Sequence, residues 1–294
     1  MKYSKTLKVV ERRKTVGERI LFAAMWLILA AWSAIIIAMY GWGVMTAFKT
    51  NLDYIREPLK FPELNNLQWQ NFTTAIKKMN HNGVGFVGML FNSIWMVLGS
   101  TLLSTLSICT VGYIMAQYEF KGKGIIMGVV IFTMIIPIYG SLPATYKLIY
   151  DLGINDSPLY LITSLGGIGG GMMMTYAFYN GLSKNYREAI YLDGGGEFTA
   201  YINIGLPMGR SIFIAMFLNS TITHWNDYNT ALLYFDKMPT LASGMFYFQE
   251  EIKYAANNPA FFAGAIIMML PILILFVTCC DKIMGKMYSG GLKG

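Results

Sequence analysis

Between residues 183 and 207 the sequence reads S-K-N-Y-R-E-A-I-Y-L-D-G-G-G-E-F-T-A-Y-I-N-I-G-L-P. The carboxylates of Glu188, Asp193 and Glu197 bracket three successive glycines, Gly194, Gly195 and Gly196. Asn185 followed three residues later by Glu188 has the form of a helix N-cap with its capping box. Ala189, Ile190, Tyr191 and Leu192 can continue that helix. A glycine past the last turn accepts the left-handed conformation that other residues avoid, so the chain can reverse before a second short helix over 197–204. Pro207 suits the first turn of whatever helix follows, where its missing N–H costs nothing. Such a helix-turn-helix knob, with an exposed carboxylate at each end, offers a docking site for another protein. The competing reading is a structured loop with surface acids.

Other reactive residue types form no such constellation. His81 and His224 lie 143 positions apart with no second ligand at metal-site spacing, so no metal is assigned. Cys109, Cys279 and Cys280 sit in apolar runs without a CxxC, and read as small membrane-core hydrophobes. Gly122-Lys123-Gly124 lacks both the upstream glycine and the Ser/Thr of a phosphate loop, and 166–171 does not fit the dinucleotide spacing. No cofactor and no catalytic residue are expected on this chain, which reads as a non-enzyme.

The elements that must position the knob follow from composition. The 294 residues are 55% hydrophobic and only 13% charged, with a formal charge of +7, whereas soluble domains average about 25% charged residues. The reading is therefore an all-α polytopic membrane protein. A crossing helix needs about 20 mostly apolar residues, and six segments qualify: 20–44, 86–115, 124–142, 159–179, 211–235 and 261–283. The first is too long, and lacks the small-residue cleavage site, for a removable signal peptide. With the N-terminus inside, and with Asp227, Asp281 and Lys282 at span ends counted with the nearer face, the inner side holds fifteen Lys and Arg and the outer side eight, which makes the inner face +8 and the outer −1. The basic excess is thus an orientation signal and not a sign of nucleic-acid binding. Both termini are expected in the cytoplasm: 1–19 as an N-terminal segment, 20–283 as the transmembrane domain, 284–294 as a tail. Residues 45–85 and 236–259 become external loops, and 183–207 a cytoplasmic one.

The 183–207 segment resembles the cytoplasmic signature loop of ABC importer permeases, whose pattern is Glu-Ala-Ala, three residues, Gly, nine residues, Ile, one residue, Leu-Pro. Glu188, Ala189, Gly194, Ile204, Leu206 and Pro207 fall at the matching spacing, with Asp193 before the glycine. Ile190 replaces the second alanine, and Gly195 stands where carbohydrate-type members often have alanine. The resemblance extends through Ala47-Phe48-Lys49-Thr50, Phe61-Pro62, Trp69-Gln70-Asn71-Phe72, Asn92-Ser93, Pro137, Leu152-Gly153-Ile154-Asn155, Trp225-Asn226 and Pro239-Thr240 before 241–248. Together these are similar to the carbohydrate-uptake branch, like the second permease of the maltose importer. One departure is Gly41-Trp42-Gly43, where many relatives have a proline.

The resemblance implies the type I importer permease fold and a bacterial cell-membrane location. It implies a second permease subunit, two ATPase subunits carrying ATP and Mg, and an extracellular solute-binding protein that docks on 45–85 and 236–259 and delivers an oligosaccharide. The knob would be a coupling helix seated in a cleft of the ATPase, with Tyr186, Glu188, Ala189, Asp193, Gly194, Ile204, Leu206 and Pro207 carrying the contact. Glu188 would meet a basic group, and Gly194 would supply the bend.

For the path itself, polar residues in a lipid-embedded helix must face protein or water. Asn219, Thr223, Asn226 and Thr230 recur at spacings 4, 3, 4 and so share one stripe of the fifth span, with His224 and Trp225 beside it. Asn219, Thr223, Trp225, Asn226 and Tyr228 are the candidate path residues, since a sugar needs an aromatic plate and amide or hydroxyl partners. The same stripe also reads as interhelical hydrogen-bond glue. Ser93, Ser100, Ser104 and Ser107, and the glycine pairs Gly166/Gly170 and Gly167/Gly171, read as packing seams. The alternatives are an importer of a non-sugar solute and, further off, an ion-coupled secondary transporter, which would require inverted repeats and a midplane acid.

Overall fold

The computed structural model describes residues 15–136, 140–255 and 257–290. Pro137, most of the N-terminal segment and the last four residues lie outside them.

The first element among the described residues is α1 (Val16–Ala47), started by a full capping box: Glu18 N–H donates to Thr15 Oγ1, and the Glu18 carboxylate accepts from Thr15 N–H at 2.7 Å. Its apolar residues run all round the helix and face outward, as a lipid-facing span requires. Next come α2 (Asn51–Arg56), a 3-10 turn, α3 (Gln70–Lys78) and a two-residue hairpin of β1 (Asn80–His81) and β2 (Val84–Gly85). Its Asn82-Gly83 turn has both φ angles positive, +50° and +82°, as the tight primed turn demands. This hairpin is a small addition to the expected all-helical class.

The hub is α4 (Phe86–Gln117), a 32-residue helix against which the later segments 158–165, 170–180, 210–225 and 241–255 pack. There follow α5 (Lys123–Ile135), α6 (Ser141–Asp151), a 3-10 segment Pro158–Leu165, α7 (Gly170–Asn180), α8 (Asn185–Leu192) and α9 (Glu197–Ala200). A π-turn, Tyr201–Gly205, leads into α10 (Leu206–Met208), and a 73° bend at Gly209 into α11 (Arg210–Trp225). The chain closes with α12 (Tyr228–Tyr234), α13 (Leu241–Ala255) and α14 (Asn258–Gly290).

Three of these helices are long and apolar enough to cross a membrane: α1, α4 and the Asn258–Thr278 part of α14. The bent pair around Gly209 adds a fourth if counted as one crossing. Three expected single spans are broken, each for a local reason. The 124–142 span divides because Ile136 precedes a proline and takes an extended backbone (φ −97°, ψ 110°), and α6 then starts from Gly140 at φ +88°. The 159–179 span divides at its glycines, with Gly169 at φ +141° between the 3-10 segment and α7. The 211–235 span divides at Asn226, because the Asp227 carboxylate accepts from Thr230 N–H at 3.0 Å and starts α12 afresh.

The seams are built from small residues. A Cβ on Gly112 would lie 2.0 Å from Thr175 Oγ1, so α4 and α7 touch backbone to backbone there, and Thr175 donates to Ile108 O at 3.1 Å. Ser104 and Ser220 hydroxyls pair at 2.7 Å between α4 and α11. Ser107 donates to Leu165 O at 2.6 Å, beside Gly167. The other glycine pair does not pack so closely: a Cβ on Gly166 would meet nothing within 4 Å.

Candidate functional site

The motifs in 45–85 prove to be a clasp. Lys49 is 2% exposed, and its ammonium donates to the carbonyls of Glu57 (3.0 Å) and Pro58 (2.8 Å). Burial lowers the Lys49 pKa, with Asp53 and Glu57 opposing. Trp42 Nε1 donates to the same Pro58 carbonyl at 2.8 Å. Asn71 Nδ2 donates to Ala47 O and Lys49 O, supplying partners at the end of α1 where carbonyls run out of helical donors. Phe48, Trp69 and Phe72 close over this point, with ring centroids 4.9–6.0 Å apart. Asn92 donates to Pro239 O, and Ser93 Oγ accepts from Leu241 N–H at 2.7 Å, so this pair on α4 anchors the start of α13.

The candidate path residues divide. Asn219, Thr223 and Asn226 lie on one exposed face of α11; Thr223 donates to Asn219 O (2.9 Å) and Asn226 to Ile222 O (2.8 Å), bonds that keep each side chain against its own helix. Trp225 is buried, with Nε1 donating to Met268 O at 3.1 Å. Tyr228 is past the break and stacks on Phe246 at 5.4 Å. Thr230 leaves the stripe: with Ser93, Ser100, Tyr160, His224 and Asp227 it lines a partly open polar pocket of about 170 Å³ between α4, the 3-10 segment and α11–α12, which the buried Trp225 also reaches. The sequence periodicity missed this separation because it assumed one continuous helix.

At the Gln117 end of α4 stands the knob. The helix α8 forms, but Asn185 is its first helical residue and not its cap. The preceding Lys184 is already in the right-handed helical region (φ −62°, ψ −21°), and no side-chain cap bond is made. The expected capping box therefore does not close, which leaves the Glu188 carboxylate exposed. At the other end Gly194 has φ +80°, Gly194 N–H donates to Tyr191 O (3.0 Å), and Gly195 N–H donates to Ile190 O (2.8 Å). This is the paired Schellman pattern that satisfies the last carbonyls. A Cβ on Gly195 would lie 2.5 Å from Ile190 Cγ2. The two departures from the signature thus answer each other: the larger residue at 190 fills the space that an alanine at 195 would need.

Tyr186, Ala189 and Asp193 are exposed beside Glu188, while Ile204 and Leu206 are half-buried where the π-turn and α10 lead out of the knob, with Pro207 in the first turn of α10. Leu192 and Phe198, 89% and 77% exposed, extend the same surface. Neither was among the residues expected to make contact; their signal was a large apolar side chain on each short helix of a loop expected to face water. Glu197, expected to be free, is engaged: its Oε2 accepts from Tyr118 OH at 2.5 Å and from Tyr191 OH. Burial, with the bond to Glu197, pushes the Tyr118 hydroxyl pKa up, so it stays a donor. Nearby, Lys123 holds the Glu119 carboxyl below the usual range, with Lys184 adding to it. Among the described residues no group of three His, Cys, Asp or Glu is placed to hold a metal ion.

Long apolar helices, a polar pocket lined by the first half of α4 and an exposed helical knob at its other end make up the described molecule, a set of features that a membrane subunit of the importer permease type would share. Residues 108–278, more than half of the chain, match the family described as binding-protein-dependent transport system inner membrane component, and the chain belongs to it. It is 24% identical to the diacetylchitobiose uptake system permease NgcG of Streptomyces coelicolor, over 90% of this chain and 86% of that one. It is 26% identical to the arabinooligosaccharides transport permease AraQ of Bacillus subtilis (69% and 73%). With the maltose/maltodextrin permease MalG of Vibrio vulnificus the identity is 27% (70% and 72%). In fold it matches a chain of a bacterial ABC transporter involved in the import of the acidic polysaccharide alginate, with a TM-score of 0.67 and 16% identity, over 92% of this chain and 99% of that one.

Proposed function

We propose that this chain is one of two permease subunits of an ATP-driven, binding-protein-dependent importer of an oligosaccharide. It crosses the membrane six times, with α5, the 3-10 segment with α7, and α11 as the interrupted crossings beside α1, α4 and α14. The knob and both termini are cytoplasmic, in line with the excess of Lys and Arg on that side. Two ATPase subunits, which carry ATP and Mg, receive the α8–α9 knob of each permease, and a solute-binding protein docks outside on 45–85 and 236–259. The observation that carries the reading is the knob itself: Glu188 and Asp193 stand exposed beside Leu192 and Phe198, and apolar side chains held out on a water-facing knob mark a protein contact. The carbohydrate assignment rests on the sugar-named relatives, and the exposed face of Asn219, Thr223 and Asn226 would be covered by the transport path or the second permease.

Tagged chain purified in mild detergent from its native host tests this. An ATPase and a second permease are expected to co-purify, and glycan binding to the solute-binding protein of the same system names the sugar. Purification without any ATPase would contradict the reading.

A further inference from the structure

The last turn of α4 does more than end a helix. Tyr118 donates to Glu197 Oε2 at 2.5 Å, and Tyr191, on α8, donates to the same oxygen. The Arg187 guanidinium lies over the Tyr118 ring, 4.5 Å from its centroid, and Nη1 donates to Gln117 O. Gln117, itself buried, passes the connection on: its Nε2 donates to Tyr179 O (2.7 Å) and Leu182 O (3.3 Å) at the end of α7. One carboxylate oxygen thus joins three elements, α4, α8 and the start of α9. The surface of the knob named above as the docking face, Glu188 with Leu192 and Phe198, takes no part in this network.

We propose that Glu197, gripped by Tyr118 and Tyr191, is the positioning residue that locks the knob to α4, so that displacement of the knob moves α4 as one body. The helix α4 spans 32 residues, about 48 Å at 1.5 Å per residue. In its far half Ser93, Met96, Val97 and Ser100 line the polar pocket. A rigid joint at Tyr118 delivers motion there, whereas a joint that slips lets the knob move alone. The inference rests on the reading that the knob docks an ATPase, but it concerns different residues.

The test uses the complete transporter in proteoliposomes, measuring solute imported per ATP hydrolysed and, separately, ATPase retained on purification. The double variant Tyr118→Phe, Tyr191→Phe keeps both rings and removes both donors. Expected is normal ATPase retention and continued hydrolysis, with solute per ATP down at least fivefold; Glu197→Gln, whose amide oxygen still accepts, falls in between. Should the double variant fail to insert, Tyr191→Phe alone, at an exposed ring, carries the same sign. An unchanged solute-to-ATP ratio, with or without loss of yield, overturns the joint and leaves Glu197 a purely structural residue. Lost ATPase retention overturns it too. Glu188→Lys run in parallel separates the two claims: if it behaves as wild type while the tyrosine variants uncouple, Glu188 is not the docking contact, and the joint, which needs only that the knob docks, stands.

Discussion

Gly194 sits at φ +80°, where an L side chain costs roughly 1–2 kcal/mol. Gly194→Ala should therefore loosen the α8–α9 reversal and lower uptake while the protein still inserts, read by membrane expression beside transport. Gly195 is constrained differently, by the Ile190 side chain 2.5 Å from where its Cβ would be. Gly195→Ala alone should lower the melting temperature, and Ile190→Ala in the same background should restore most of the loss. Independent, additive effects in that cycle would show that the two positions do not touch. Glu188 stands free because the capping box does not form, and Glu188→Gln should weaken ATPase association about tenfold, the ~1.4 kcal/mol of a weakened charged contact. From the sequence the glycine turn was legible, from three consecutive glycines; the signature spacing picked out Glu188, but the capping box that the local pattern predicted for it does not form. The tie from Glu197 to Tyr118 was not, since it joins residues 79 positions apart and no local pattern encodes it.

Among the elements, α4 is the one on which the others assemble, and its seam with α7 depends on Gly112. A methyl group there would lie 2.0 Å from Thr175 Oγ1 and 3.0 Å from the Tyr176 backbone nitrogen. Gly112→Ala should destabilise by about 1–3 kcal/mol, as overpacking does, seen as a lower melting temperature in detergent, whereas Gly124→Ala, with nothing within 4 Å, should be neutral. Long apolar helices were readable from hydropathy alone: α1 and α4 fall where the 20-residue ruler put them. The interrupted ones were not, because the ruler averages over a window, while Ile136 before proline, Gly169 and the Asp227 cap act at single residues. That is also why the 4, 3, 4 stripe failed at Thr230, which the Asp227 break carries into the polar pocket, while Asn219, Thr223 and Asn226 stayed together.

For the whole molecule, the claim is a division of labour between two ends. The clasp around Lys49 and the anchors Asn92 and Ser93 build one end; the knob builds the other. Orientation can be read with a membrane-impermeant thiol reagent on intact cells, in a background lacking the native cysteines. Leu64→Cys, at a residue 86% exposed beside the clasp, should label from outside, and Phe198→Cys, 77% exposed on the knob, only after permeabilisation. Labelling in the reverse order would invert the topology and place the knob out of reach of any ATPase. The central claim, that the 183–207 knob transmits ATP hydrolysis to transport, is tested most directly by solute uptake per ATP hydrolysed in proteoliposomes carrying the Glu188→Lys, Gly194→Pro double variant. The account predicts an inserted, assembled membrane subunit whose uptake is abolished; uptake per ATP equal to wild type would contradict it.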